Sequence, residues 1–281
     1  MKFWHFAPCV CLILLGLQSG YAGTLAQFRT AFGDIEVELY DQDKPVTVQN
    51  FMRYIESGRY QDVFAHRLVP GFVVQGGGFT ITNRSTPNAT VLSVPTYPTI
   101  TNEFGVGRRF SNVYGTIAMA KLGGNTNSAS SQWYINLANN SFLDAPDTNN
   151  LFVVFGHVVS GTNVLNIFSR FQYYTGTQSS NLVYNWGSPL DSLPLLYPSL
   201  ADTNFVFVDI TLLQVAVKPA AGFGKEISWN SATGLTNVVE FTTNFPAVWD
   251  TLARTNGTGV RMAVVDSTAT PQRFYRVRVV Y

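Results

Sequence analysis

Hydrophobic and polar residues alternate along most of this 281-residue chain in short runs that are typical of β-strands. Residues 27–32 and 34–40 alternate on either side of Gly33 and predict a hairpin. Further strands are predicted at residues 63–69, 72–76, 114–121, 132–137, 152–159 and 205–217. The pattern therefore predicts a mainly β fold.

Two segments have helical rather than alternating spacing. Residues 45–57 place apolar side chains on one face, with Pro45 at the first helical position and Gly58 at the end. Residues 162–168 predict a second, shorter helix. Many short strands with only two helices indicate a closed or nearly closed antiparallel sheet.

Two long stretches, residues 80–101 and 172–204, are predicted to be irregular, and loops of this length are usually functional or insertions. A composition change at residues 218–224 predicts a linker between a first domain, residues 23–217, and a C-terminal module, residues 225–281. The module is predicted to be a small β-sandwich or β-sheet, with strands at residues 227–229, 238–243, 247–252, 260–264 and 274–281.

Residues 1–22 have the pattern of a secretory signal peptide. Lys2 supplies the positive charge, residues 6–17 are apolar, and residues 18–22 are small and polar. The alternative is an uncleaved anchor, although about 12 apolar residues are few for a bilayer span. The chain is therefore predicted to be exported to the periplasm or the exterior, with no stable membrane insertion of the mature protein.

Composition excludes several classes of function. The formal net charge is +1, and removal of residues 1–22 takes away Lys2, so nothing favours nucleic acid as a partner. Both cysteines, Cys9 and Cys11, lie in the predicted leader. The mature chain is thus expected to have no disulfide, no thiolate metal site and no cysteine nucleophile.

Candidate chemistry is concentrated in residues 66–77, which read His-Arg-Leu-Val-Pro-Gly-Phe-Val-Val-Gln-Gly-Gly. If this run forms two adjoining strands, alternation can bring Arg67, Phe72 and Gln75 near one surface. His66 is interpreted as a buried, hydrogen-bonded residue rather than a base or metal ligand, and the glycine pair as a site of close backbone packing.

This run resembles the signature of the cyclophilins. The similarity continues in family order through six further blocks and covers about two-thirds of the chain. The blocks are residues 45–51, 102–104, 115–120, 127–135, 142–144 and 152–156. The resemblance implies an eight-stranded antiparallel β-barrel capped by two helices, with a proline-binding groove on the outside.

The resemblance also implies roles for individual residues. Arg67 is expected to be the catalytic arginine, with Phe72 beside it and Gln75 orienting either Arg67 or the substrate carbonyl. The proline pocket is expected to be lined by Phe72, Val73, Tyr134 and Leu143. Ala120, Lys121 and Gln132 are expected to flank neighbouring peptide positions, with Phe142 where many eukaryotic members have Trp and Phe152 where His or an aromatic residue is common.

The implied activity is peptidyl-prolyl cis/trans isomerisation of unfolded or extended proline-containing polypeptides, without a cofactor or metal. One alternative is a non-catalytic peptide-binding or scaffold module. Another is a β-barrel that binds a small ligand, but this interpretation does not account for the order of the motifs. The C-terminal module weakly resembles β modules of exported bacterial proteins. It is expected to tether the isomerase to a surface, a glycan or another protein, or else to be a passive extension.

Three positions depart from the family pattern. Ala65 stands where Phe is usual, with Phe64 one residue earlier, and such a shift would move the ring to the opposite face. Gly78 stands where Asp is common, and the loop after Phe79 lacks the usual Gly-Thr-Gly run. These departures are expected to alter loop geometry more than the chemistry of Arg67.

Overall fold

The computed structural model describes residues 24–145, 151–212, 215–231, 236–244, 247–258, 261–268 and 272–280. The predicted leader, residues 1–22, lies outside the described residues. Within these ranges, no helix is both long and apolar enough to cross a membrane.

The described chain contains two α-helices, α1 (Pro45–Glu56) and α2 (Thr162–Phe168), close to the predicted bounds. The first strands in chain order are β1 (Leu25–Thr30), β2 (Gly33–Leu39), β3 (Arg67–Val69), β4 (Val73–Gly76), β5 (Phe79–Thr82), β6 (Thr90–Ser93), β7 (Thr116–Met119), β8 (Trp133–Asn136) and β9 (Val154–Ser160). They are followed by β10 (Gln172–Tyr173), β11 (Leu182–Tyr184), β12 (Leu193–Leu195), β13 (Asp209–Leu212), β14 (Val215–Pro219), β15 (Lys225–Asn230), β16 (Thr236–Thr242), β17 (Asp250–Asn256), β18 (Arg261–Asp266) and β19 (Phe274–Val280).

Eight of the strands form one curled antiparallel sheet in the order β13-β1-β2-β9-β7-β8-β4-β3. The chain just before β3 meets the chain just before β13, because the Ala65 N–H donates to the Val206 carbonyl and the Val208 N–H donates to the Val63 carbonyl. These bonds bring the two ends of the sheet together. The predicted eight-stranded, mainly β architecture with two helices is confirmed.

Both helices pack against the apolar interior of the curled sheet. Phe51 and Tyr54 of α1 and Leu165 and Phe168 of α2 are buried in the same cluster as Trp133. Burial of such large side chains is the main favourable term in folding. The interior of the sheet is therefore a packed core, and a binding groove has to lie outside it.

The N-terminus of α1 is capped from a distant loop. The carboxylate of Glu103 accepts hydrogen bonds from the backbone N–H groups of Val46 (3.1 Å) and Thr47 (2.7 Å). The buried Lys44 Nζ donates to the carbonyls of Glu103 and Val106. A carboxylate at this end of a helix satisfies otherwise orphaned donors and favours the helix dipole.

The shifted aromatic before the His-Arg pair faces a second apolar cluster. Ala65 is buried in the main core, whereas the ring of Phe64 packs edge-on against Phe205 at 4.9 Å between ring centroids. Phe207 and Leu193 complete this part of the cluster. The aromatic side chain at position 64 therefore lies outside the main core and packs in this second cluster.

The two stretches predicted to be irregular contain short strands, so those predictions are wrong in part. Residues 80–101 include β6, which pairs with β5, and residues 172–204 include the small sheet of β10, β11 and β12. The sheet of β10–β12 packs in the cluster around Phe64. The Leu68 N–H of β3 donates to the Ser192 carbonyl (2.8 Å), which places the segment of residues 172–204 against the edge of β3.

The strand predicted over residues 205–217 is also divided. Residues 209–212 form β13 in the main sheet, whereas Val215–Pro219 forms β14 and pairs with Lys225–Asn230. The residues of β14 were predicted to lie partly at the end of the first domain and partly in the linker, but they belong to the C-terminal sheets. The domain boundaries stay a prediction.

The C-terminal module, together with β14, forms two three-stranded antiparallel sheets, β14-β15-β18 and β17-β16-β19. Trp229 of the first sheet and Val239 of the second are buried in one apolar cluster. Sharing of a core by two sheets is the arrangement of a β-sandwich.

Candidate active site

The residues of β3 and β4 alternate between the two faces of the curled sheet. Leu68 and Val74 point into the main core, whereas Arg67, Val73 and Gln75 line an external groove. Arg67 and Gln75 are direct partners across the two strands. The prediction that strand alternation brings these two residues to one surface is borne out by their positions.

The neighbouring strands β7 and β8 alternate in the same way. Trp133 and Ile135 are buried inside the sheet, whereas Ala118 and Tyr134 lie on the outer side. Tyr134 is the partner of Gln75 on β4 and of Ala118 on β7. The ring of Tyr134 therefore forms part of the groove floor.

The groove has a volume of about 230 Å³ and is open to solvent. All the site residues predicted from the sequence line it except Gln132 and Phe142. Its lining comprises Arg67, Phe72, Val73, Gln75, Ala120, Lys121, Tyr134, Leu143 and Phe152.

The two remaining predicted residues lie at the margin of the groove. Phe142 is 59% exposed and its ring stacks on that of Phe72, with centroids 5.8 Å apart. Gln132 accepts a hydrogen bond from Gln75 Nε2 at 2.7 Å. Phe142 thus extends the apolar rim, and Gln132 acts on the groove through Gln75.

Arg67 supplies a cation on one wall of the groove. Its guanidinium carbon lies 5.9 Å from the centroid of the Phe72 ring. Within the described ranges, the guanidinium has no ion pair or hydrogen bond to protein, and none of the residues lining the groove is acidic. Lys121 adds a second positive charge, with Nζ 4.4 Å from the centroid of the Phe152 ring.

His66 supports the groove from beneath. It is 3% exposed and lies close to Gln132, which accepts a hydrogen bond from Gln75. Burial lowers the pKa of His66 to about 4, so the imidazole is neutral near pH 7. The interpretation of His66 as a buried residue is confirmed, whereas its Nδ1 has no hydrogen-bond partner among the described residues.

The glycines after Gln75 leave no room for side chains. A Cβ at Gly76 would come within 2.5 Å of the Trp133 ring, which confirms close backbone packing there. A Cβ at Gly78 would come within 2.9 Å of His66 and 3.0 Å of Gln132. Glycine at position 78, where Asp is common in the family, therefore leaves room for the close approach of His66 and Gln132.

A buried polar network behind the groove was not found from the sequence. Asn112 bonds to Tyr134, Asn136 and Asp144, and Asn140 bonds to Asn136. Asp144 ends the short 3-10 helix of residues 141–144 and accepts a hydrogen bond from Asn112 at 2.7 Å. The one available signal was the density of asparagines around residues already assigned to the site.

The arrangement is suited to binding an extended apolar segment with a polar group beside it. The groove offers an apolar floor, one accessible guanidinium and an amide pair. In the part of the chain that the structure describes, no group of three or more His, Cys, Asp or Glu side chains is arranged to hold a metal ion. The curled sheet with its external apolar groove thus defines a β-barrel protein with an open binding groove on its outer surface.

Comparison with known proteins is consistent with this class. The family model described as "Cyclophilin type peptidyl-prolyl cis-trans isomerase/CLD" matches residues 25–183. Peptidyl-prolyl cis-trans isomerase A of Dickeya dadantii is 41% identical over 169 residues, which cover 59% of this chain and 83% of that protein. A peptidyl-prolyl cis-trans isomerase of Acinetobacter baylyi is 36% identical over 160 residues, covering 56% of this chain and 79% of that protein.

Among solved structures, a cyclophilin type peptidyl-prolyl cis-trans isomerase of Cryptosporidium parvum, crystallised in the presence of the dipeptide Ala-Pro, is 18% identical. The match covers 68% of this chain and 99% of the Cryptosporidium parvum chain, with a TM-score of 0.45. On the family match and the two bacterial relatives, the chain belongs to the cyclophilin-type peptidyl-prolyl cis-trans isomerases, a family of enzymes.

Proposed function

We propose that this enzyme accelerates rotation about Xaa-Pro bonds in exported polypeptides, and that Arg67 stabilises the twisted imide. The observation that carries the mechanism is the Arg67 guanidinium, which stands without a protein hydrogen bond among the described residues at the wall of an apolar groove. An available cation at this position is suited to a substrate group.

Rotation of a prolyl bond needs no nucleophile, metal or general base, because no bond is made or broken. The barrier is about 20 kcal/mol and arises from amide resonance. In the twisted state the proline nitrogen regains its lone pair and accepts a hydrogen bond more strongly than in either planar isomer. A guanidinium donor aimed at that nitrogen therefore binds the transition state preferentially, which is catalysis.

The apolar part of the groove is suited to holding the proline ring while the carbonyl side rotates. Val73, Tyr134 and Leu143 are buried neighbours in one apolar cluster, and the Phe72 ring packs against it. Gln75, fixed by its bond to Gln132, is placed to orient Arg67 or the substrate carbonyl. Ala120, Lys121 and Phe152 lie where neighbouring peptide residues would pass.

The test is cis/trans exchange of a short Xaa-Pro peptide, measured by NMR without a coupled protease. We expect wild type to accelerate exchange and Arg67→Ala to lower kcat/KM about a hundredfold, because a preorganised charge in the transition state is worth several kcal/mol. Arg67→Lys should recover little, since a point charge lacks the planar fork of donors.

Arg59 offers a matched control, because it also stacks on an aromatic ring, that of Tyr97, but does not line the groove. Arg59→Ala should retain wild-type turnover. Wild-type turnover in Arg67→Ala would contradict the arginine mechanism. Peptide binding by wild type without faster exchange would favour the alternative, a non-catalytic proline-peptide-binding or scaffold module.

Export is proposed from the sequence of residues 1–22, and the destination is the periplasm or the exterior. Mass spectrometry of the secreted or periplasmic chain should find an N-terminus at about residue 23. A full-length chain retained with the cell membrane would instead indicate an uncleaved anchor.

The C-terminal module is proposed to tether the isomerase to a surface, a glycan or another protein. Arginine side chains stack on aromatic rings there: Arg276 lies 4.2 Å from the Trp249 centroid, and Arg273 lies 3.9 Å from that of Phe241. A chain that ends after residue 212 removes both C-terminal sheets. Unchanged localisation and activity of that chain would favour a passive extension.

A further inference from the structure

Asn112 lies in the chain just before β7 and is fully buried. Its side-chain oxygen accepts two hydrogen bonds, from the Tyr134 hydroxyl at 2.7 Å and from Asn136 Nδ2 at 3.1 Å. Asn136 Nδ2 also donates to Thr116 Oγ1 at 2.9 Å. The amide oxygen of Asn112 is thus directed at the underside of the groove floor.

Asp144 determines which way the Asn112 amide faces. Asn112 Nδ2 donates to Asp144 Oδ1 at 2.7 Å and to the Phe152 carbonyl at 3.3 Å, and the Asn112 backbone N–H donates to the same carboxylate oxygen at 3.0 Å. An ionised carboxylate only accepts hydrogen bonds. The amide nitrogen must therefore face Asp144, and the oxygen must face Tyr134.

The same network reaches three groove-lining aromatic residues. Besides the Tyr134 hydroxyl and the Phe152 carbonyl, it includes Asn140, whose Nδ2 donates to Asn136 Oδ1 at 2.8 Å and to the Phe72 carbonyl at 2.9 Å. Tyr134, Phe152 and Phe72 all line the groove. One connected set of buried amides therefore holds the floor and two sides of the groove together.

The ring of Tyr134 needs such an anchor because it is not enclosed on all sides. Core aromatic rings are held by close packing all round, whereas Tyr134 has the open groove on one side. Burial raises the pKa of its hydroxyl well above the usual range, and the Asp144 carboxylate raises it further, so the hydroxyl remains a donor. The hydrogen bond to Asn112 therefore sets the tilt of the ring.

We propose that Asn112, oriented by Asp144, is a positioning residue for the isomerase reaction, because it fixes the Tyr134 ring on which the substrate proline rests. This inference rests on the proposed function for its kinetic consequence. The orientation of Tyr134 itself is a property of the peptide-free protein and is measured separately.

The first test is Tyr134→Phe, which removes only the hydroxyl and leaves Asn112 with its bond from Asn136. We expect kcat/KM for a short Xaa-Pro peptide to fall about tenfold, the value of one well-placed hydrogen bond. Tyr54→Phe is the matched control. Tyr54 is also fully buried, and its hydroxyl makes one hydrogen bond, from the Tyr97 N–H at 2.7 Å, but it lies on α1 and does not line the groove. Its turnover should be unchanged.

The second test is a double-mutant cycle with Asp144→Asn, which allows the Asn112 amide to turn. Alone, Asp144→Asn should also lower kcat/KM about tenfold. In the Tyr134→Phe background it should lower it much less, because the bond through which it acts is already absent. Losses that simply multiply, or wild-type kcat/KM in Tyr134→Phe, would overturn the proposal.

A readout without substrate separates this inference from the proposed function. The Tyr134 hydroxyl proton should give a slowly exchanging NMR signal in wild type, assigned by its absence in Tyr134→Phe, and Asp144→Asn should shift or remove it. An unchanged signal in Asp144→Asn would overturn the orienting role of Asp144. If wild type does not accelerate prolyl exchange, the proposed function fails, and the hydroxyl signal still decides whether Asn112 holds the ring.

Discussion

The two faces of strands β3, β4, β7 and β8 are built from alternate residues of the same segments but are held together differently. The inner face, represented by Leu68, Val74 and Trp133, is apolar and close-packed. The outer face carries Arg67 and Tyr134 and is supported by hydrogen bonds among buried amides. Shape alone specifies the first face, whereas the second depends on satisfied polar partners.

This difference follows from the open groove. A groove wall cannot be locked by packing from both sides, so its side chains need directional contacts. Buried polar groups cost free energy unless they are hydrogen-bonded, and a fully bonded network rigidifies its members. Substitutions on the inner face should therefore affect stability, and those on the outer face should affect turnover.

The largest expected effect concerns His66, whose buried side chain lies close to the outer amide pair of Gln75 and Gln132. The pKa of His66 is about 4 in the folded protein, whereas its ordinary value is 6.5. As the pH falls, the unfolded chain therefore binds a proton at His66 before the folded chain does. Stability from the neutral imidazole is complete above about pH 6.5 and is lost between pH 6.5 and 4, a change of about 3 kcal/mol.

Urea unfolding of wild type and His66→Asn at pH 7.5 and pH 4.5 measures this effect. The difference in unfolding free energy between the two proteins should shift against wild type at the lower pH. Asp34, whose pKa burial raises to about 6, is common to both proteins and cancels in the difference. A pH-independent difference would contradict the neutral, buried His66.

The next effect separates the faces directly, using neighbours on β4. Val74, 3% exposed, points into the core, and Val73, 2% exposed, lines the groove. Val74→Ala should lower the free energy of unfolding by about 2 kcal/mol, the transfer of two methyl groups plus a cavity. Val73→Ala should cost about 1 kcal/mol, since the groove admits water, but should lower kcat/KM several-fold.

Chemical denaturation and the NMR exchange assay on both variants check this pair. Equal losses of stability with equal turnover would mean that the two faces do not divide stability and function as described. The close match in exposure of the two valines makes each the control for the other.

The smallest expected effect is at Gly78. An alanine there would come within 2.9 Å of the buried His66 ring and within 3.0 Å of Gln132, and should push the more flexible Gln132 side chain away from Gln75. The backbone does not require glycine and both neighbours are side chains, so the loss of stability should be small. Loss of one oriented contact should lower kcat/KM about threefold, and steady-state exchange kinetics would show it. A stability loss without a change in turnover would place Gly78 with the inner face.

Much of the fold was predictable because its elements are locally encoded. Alternation around Gly33 and helical spacing after Pro45 gave nearly the observed bounds of β1, β2 and α1. The β10–β12 strands were missed because they span only two or three residues and have too few alternations to detect. Their pairing is set by packing around Phe64, which no local pattern reveals.

The candidate site was predictable to a similar extent. The family motifs predicted which residues line the groove, because the family resemblance implies long-range contacts that strand alternation cannot indicate. Asn112 was missed because its partners Tyr134 and Asp144 lie 22 and 32 residues away, and its own neighbourhood resembles an ordinary turn. A residue that acts only through contacts distant in sequence produces no periodic pattern in the sequence around it.

The bond between Leu68 and the Ser192 carbonyl has a consequence for a protein that handles extended chains. β3 is the last strand in the sheet order, and a bare strand edge is a template onto which another extended chain can add. With residues 172–204 laid against it, the edge of β3 at Leu68 is covered and is not open to a ninth strand. A covered edge of this kind protects a sheet from aggregation through edge-to-edge pairing.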